Sequence, residues 1–162
     1  MSDSLPPAPS THVDGFDPSP LRIGIIASSE HPVGEPFPGG MESHTATLAA
    51  GLRARGHEAI IHAATTRDGP DRAPIEQHPL HLSRAATSDV SMPSMRFMRE
   101  HHAFLSLMLR IDRFGYDVIH NNSLHYLPVA MGPALRTPLV TTLHTPPTPW
   151  LESAIAMNDE TA

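Results

Sequence analysis

The chain has 162 residues, a one-domain length, and is 40% hydrophobic but only 5% aromatic, so a single core must rest on Ile, Leu, Val, Met and Ala. A formal net charge of -6, with no lysine among its basic residues, excludes the concentrated basic face that nucleic acid or an anionic membrane surface would require. The absence of cysteine excludes disulfide scaffolds and thiolate zinc sites. No run approaches the ~20 apolar residues needed to span a bilayer, and the acidic, proline-rich start does not read as a secretory signal. The expectation is a soluble, cytoplasmic protein without stable membrane insertion. The 12 histidines are scattered, with no HExxH helix. They read as surface and strand-end residues rather than a metal site.

Residues 1–20 hold five prolines (Pro6, Pro7, Pro9, Pro18 and Pro20) and little to bury. They read as a disordered tail outside the fold. From residue 21 the character changes. Leu21, Ile23, Ile25 and Ile26 form a short apolar run closed by Ala27, Ser28 and Ser29, the pattern of a buried parallel strand. A loop punctuated by Pro32, Gly34, Pro36, Pro38, Gly39 and Gly40 follows. Residues 41–55 then space Met41, Thr45, Leu48, Ala49 and Leu52 at helical intervals, and Gly56 stands where a left-handed terminating residue is wanted. Residues 59–64 resume as a strand. Strand, loop, helix and strand together take about 45 residues, one βαβ unit.

The middle is less regular. Residues 66–74 read as a polar turn and residues 79–82 as a candidate short strand. From Ser94 to Phe114, apolar residues at Phe97, Met98, Phe104, Leu105, Met108, Leu109 and Ile111 share one face of a long amphipathic helix that ends at Gly115. The Met and aromatic stripe reads as core packing. Residues 117–120 form another buried-strand pattern, followed by Asn121, Asn122 and Ser123. A short helix over 124–131 has Pro128 confined to its first turn or kinking it. The last strand, 138–143, ends at His144 and Thr145. Strands alternating with helices require a mostly parallel sheet with right-handed crossovers, so the fold class is α/β, a Rossmann-like sheet flanked by helices.

In such sheets ligands bind beyond the C-terminal ends of the strands. Three strand ends carry polar or glycine residues: the loop at Gly39 and Gly40, the group His120, Asn122 and Ser123, and the group Thr142, His144 and Thr145. Two glycines before a helix let the backbone approach a ligand and aim N–H groups at it. The helix dipole adds about 0.3–1 kcal/mol for negative charge. A diphosphate would fit there, and so would an ordinary tight turn. His144 is placed to donate to a sugar hydroxyl or phosphate oxygen, or to bond a nearby carbonyl. His120 is either a site residue or simply packed at its strand. There is no GxGxxG after the first strand, no GxxxxGK[ST], no GxSxG, and no carboxylate pair set for hydrolysis. Nicotinamide-dependent oxidoreduction is disfavoured by the same glycine spacing.

LRIGIIASSEHP, PGGMESHTATLAAGLRARGHEAIIHAA, YDVIHNNS and PLVTTLHTPP, in this order and spacing, resemble the N-terminal domain of family-4 (group 1) glycosyltransferases of the GT-B fold. The resemblance runs over residues 21–151 with gaps around 66–94. It implies one half of a two-domain architecture that transfers sugar from a nucleotide-sugar, UDP- or GDP-linked, with retention of configuration and without a metal or other cofactor. By that similarity Gly39 and Gly40 lie against the donor diphosphate, and His144 approaches the donor sugar as the catalytic histidine. Glu42, His120, Asn122, Ser123 and Thr145 line the acceptor side, for a small-molecule or glycan acceptor. Members carry a second, donor-binding domain of ~150–200 residues. On this reading 21–151 is the acceptor-side domain and 152–162 the start of an interdomain helix. The 162 residues would then be inactive without that partner domain in cis or trans. The other expectation is a stand-alone, non-catalytic Rossmann-like binding or regulatory module.

Overall fold

A computed structural model of the chain describes residues 19–64 and 71–159. Most of the expected tail, and residues 66–70 of the expected turn, lie outside them.

Five strands form one all-parallel sheet: β1 (Arg22–Ile26), β2 (Glu58–Ala63), β3 (Arg72–Pro74), β4 (Val118–Asn121) and β5 (Leu139–Thr141), in the order β3-β2-β1-β4-β5. Ile25 pairs with Ile61 of β2 on one side and His120 of β4 on the other. The order reverses between β1 and β4. That is the topological switch point of a doubly wound sheet, where ligands bind outside the strand ends.

Alternation along β1 and β2 divides the core into two layers. Ile23, Ile25, Ala27, Ala59, Ile61 and Ala63 face helix α1 (Gly40–Ala54), which meets them with Ala49. Small residues on both sides bring that helix close to the sheet. Ile26 and Ile60 face the other way. They pack on α3 (Met95–Met108), which contributes Ala103, Phe104, Leu107 and Met108, with Leu127 of α4 (Tyr126–Met131) completing the layer. Gly24 lies on this face because a Cβ there would come within 2.6 Å of two ring carbons of Tyr116. Glycine in the strand lets that ring lie flat on the sheet, where its hydroxyl bonds buried His62 Nε2 at 2.8 Å.

α1 ends where expected, with Gly56 at φ 87. Gly115, at φ 66, ends the short 3-10 turn Ile111–Phe114. The expected helix over 94–114 is thus two pieces. Leu109 falls in the break between them, and its side chain is exposed rather than on the core face. Pro128 occupies the first turn of α4, where its missing N–H costs nothing.

Two readings of the middle are corrected. The residues at 72–74, expected to be turn, form β3, whereas 79–82, expected to be a strand, do not. β3 is a three-residue edge strand whose terminal Pro74 needs no partner for a missing N–H. The 79–82 segment alternates in hydrophobicity but has no strand to pair with. A one-turn helix, α2 (Arg84–Thr87), capped by Ser83, and a closing helix, α5 (Pro149–Asp159), complete the chain. α5 runs through the expected boundary at 151/152, with Leu151 and Ala154 buried beside Val129 of α4.

Candidate functional site

The switch point is bordered by the loop after β1, the start of α1, and the segments after β4 and β5. The long loop between β1 and α1 has no secondary structure of its own, and side chains from elsewhere hold it. Gln77 donates to Ser29 O at 2.9 Å, Arg72 donates to Val33 O, and Arg96 of α3 forms a two-pronged ion pair with Glu30. That guanidinium holds the Glu30 carboxyl below its usual range.

This loop delivers the chain to Gly39, which caps α1 in an extended conformation open to any residue. The demand for small residues there is therefore spatial. A Cβ on Gly40 would meet nothing within 4 Å, so the start of the helix faces open space. A Cβ on Gly39 would press on Glu42 Oε2 at 3.0 Å. Glu42 is buried beneath the capping residue, in the first turn, where a carboxylate complements the helix dipole. Ser43 N–H is bonded to Gly39 O, which leaves the preceding N–H groups of the turn directed out of the helix end.

One turn past Gly40, on the same face, stands His44, a residue the sequence reading did not single out. Its exposed ring meets that of His144 edge-on, with centroids 5.0 Å apart. His144 in turn donates from Nε2 to Asn122 Oδ1 at 3.3 Å, the acceptor oxygen fixing the direction. His120, half-buried within β4, shares a 2.7 Å hydrogen bond with the Thr142 hydroxyl. Burial, followed by the neighbouring imidazoles, depresses the proton affinity of both His120 and His144. The cluster thus favours neutral rings, which can accept as well as donate. The spacing between Gly40 and His44 was the available signal for this residue, since i and i+4 share a helix face.

The other expected site residues are placed differently. Asn122 and Ser123 are buried. Ser123 spends its hydroxyl on Asn121 Oδ1 at 2.7 Å, and the Asn122 backbone N–H bonds Ile26 O, tying β4 to β1. Thr145 is exposed beyond His144. Two buried polar atoms at these strand ends, Ser29 Oγ and Asn122 Nδ2, have no hydrogen-bond partner among the described residues. An unpaired buried group costs about 1–3 kcal/mol, so such groups concentrate where function requires them. Among the described residues, no group of three or more His, Asp or Glu is placed to hold a metal ion, and no helix is long and apolar enough to cross a membrane.

The sheet order, the glycine helix start and the polar strand ends can be set beside known proteins. No curated protein matches the chain. The family model described as Glycosyltransferase Family 4 matches residues 38–159. That match takes in the glycine pair, both polar strand ends and the closing helix, which is most of the domain built above. The chain therefore belongs to glycosyltransferase family 4, as an N-terminal domain of that family.

Proposed function

We propose that this domain forms the acceptor side of a retaining glycosyltransferase, and that it works only with a donor-binding domain supplied in cis or in trans. The observation that carries this reading is the meeting of the α1 start with His144 at the switch point. Gly40 opens the helix end, and His44, on the same face, touches His144. The donor is a UDP- or GDP-sugar whose diphosphate lies against Gly39 and Gly40, and no metal is needed.

In a front-face transfer the acceptor oxygen bonds to the anomeric carbon as the bond from that carbon to the diphosphate breaks. The acceptor proton passes to the departing phosphate oxygen. Negative charge grows on the diphosphate while the sugar becomes oxocarbenium-like. The N–H groups and dipole at the start of α1 stabilise that charge as it forms, which lowers the barrier more than it tightens ground-state binding. His144 stands beside the donor sugar, held in orientation by Asn122. Asn122 and Ser123 act by anchoring the β4 end, and Glu42 by supporting the glycine turn. His120 and Thr145 border the acceptor side.

The test is transfer from UDP- and GDP-hexoses, by the 162 residues alone and with the donor-binding domain added. Product should form only in the second case, with retained anomeric configuration by NMR. Transfer by the isolated chain, or an inverted product, would remove the corresponding part of the reading. A chain that transfers under neither condition would instead be the non-catalytic module.

A further inference from the structure

Beyond the histidine cluster lies a pocket of about 250 Å3, bounded by α3, the segment after β4 and the start of α5. Its walls are aromatic: Phe97, Tyr126 and Trp150, with Leu124 beside them. Tyr126 and Trp150 lie 5.3 Å apart at an interplanar angle of 30°, and Phe97 lies 6.4 Å from Trp150. Trp150 stays 61% exposed and Leu124 46%, so neither finishes its packing within the described domain. The polar groups on the same walls are Glu100, Thr148 and His125.

His125 is buried, stacked on Phe104 at 4.6 Å, and its Nδ1 accepts the Leu127 N–H at 3.2 Å. The ring proton therefore sits on Nε2, a donor with no partner among the described residues. Burial pushes the His125 pKa down to about 4, so the ring carries no charge near neutrality. Burial, with the nearby Glu30 charge, raises the affinity of Glu100 for a proton. Among the described residues no arginine lines the pocket, and Arg96, one turn before Glu100, is committed to Glu30.

These features select a ligand class. A phosphate-bearing molecule finds no cation on these walls. A cation finds aromatic faces and the Glu100 carboxyl, but also the Nε2–H of His125, a donor that cannot bond it. A neutral polyhydroxylated ring satisfies all of them. Its C–H face packs on the aromatics, and its hydroxyl oxygens accept from His125 while its hydroxyl protons go to Glu100 and Thr148. The volume lies below the ~300–1,000 Å3 of pockets for drug-sized ligands and suits one ring. Leu124 is two residues from Asn122, so its Cα lies within about 7 Å of that residue. The pocket adjoins the site already described.

We propose that this pocket is a subsite for one uncharged pyranose ring, stacked against the aromatic wall of Trp150 and Tyr126 and hydrogen-bonded through Glu100, Thr148 and His125. The inference rests on the acceptor-side reading and deepens it: the acceptor is a neutral glycoside rather than a phosphorylated or cationic molecule.

Trp150 is the one tryptophan of the chain, so its indole N–H resonance reports on this pocket alone. The probes are the methyl glycosides of glucose, galactose and mannose, with glucose 1-phosphate and tetramethylammonium as the competing classes. A saturable shift of the indole signal with at least one methyl glycoside is expected, weakened about tenfold or more in Glu100→Ala, with the remaining spectrum still dispersed. No saturable shift with any of the three, or a shift unchanged in Glu100→Ala, would overturn the proposal. Stronger saturation by tetramethylammonium or glucose 1-phosphate would also overturn it, reassigning the pocket to a charged ligand. In the enzyme joined to its donor domain, Trp150→Ala should raise the acceptor KM more than it lowers kcat. If no glycoside binds while His144→Ala still suppresses transfer, the pocket alone falls. If glycoside binds but no transfer is found, the transferase reading falls and a sugar-binding pocket remains.

Discussion

His44 and His144 come from opposite ends of the domain and meet edge to face, with ring centroids 5.0 Å apart. His44 rides on the helix that Gly39 and Gly40 introduce, and His144 follows the last strand. Their contact joins the N-terminal end of α1 to the polar ends of β4 and β5. If His144 acts on the reacting sugar, His144→Ala should lower kcat about 10²-fold and change the acceptor KM little. Steady-state kinetics of the two-domain enzyme checks this, and an effect confined to acceptor KM would reassign His144 as a binding residue.

Gly40→Val separates ligand approach from folding. A Cβ at this position meets no atom within 4 Å, and valine is no poorer a helix former than glycine, so the variant should fold. Transfer should nonetheless fall at least about 10²-fold, because the branched side chain fills the space proposed for the diphosphate. Undiminished turnover in a folded variant would remove this loop from the mechanism.

Gly24→Ala should have the opposite profile, acting on the fold first. The new methyl would sit 2.6 Å from ring carbons of Tyr116 and force that ring off the sheet, straining its hydrogen bond to His62. Overpacking of this kind costs about 1–3 kcal/mol. A urea midpoint equal to that of the parent chain would show that the ring yields freely.

Acid should destabilise the domain well before its carboxylates protonate. Burial, with the charge of Arg110, pushes the His62 pKa from 6.5 down to about 4. The folded chain therefore refuses a proton that the unfolded chain accepts below about pH 6.5. Stability is full above that pH and falls as the pH drops towards 4, by about 3 kcal/mol for His62 alone. His125, also held at about 4, shifts stability in the same direction. Urea midpoints near pH 7 and about pH 4.5 should differ strongly, and matching midpoints would contradict the burial argument.

Local chemistry was enough to read the frame of this protein from its sequence. Short β-rich runs such as Ile23 to Ile26 and Val118 to Ile119 read as sheet strands, and Gly56 and Gly115 hold the left-handed positions that end their segments. The order of the glycine pair, the polar strand ends and the closing prolines was sufficient to suggest the family. Where pairing decides structure, the sequence was silent. Residues 72–74 became a strand and 79–82 did not, because a short edge strand exists only through its neighbour's hydrogen bonds. The same holds at the site. His44 is an unremarkable surface histidine in sequence, and only the packing of α1 beside the β5 end brings it to His144. Asn122 and Ser123, read along the chain as pocket-lining residues, are buried just past β4, where Asn122 bonds His144 and Ser123 bonds Asn121. Periodicity and turn chemistry act over a few residues and can be read along the chain. Which side chains meet across a sheet is settled by contacts far apart in sequence, and those only the folded chain decides.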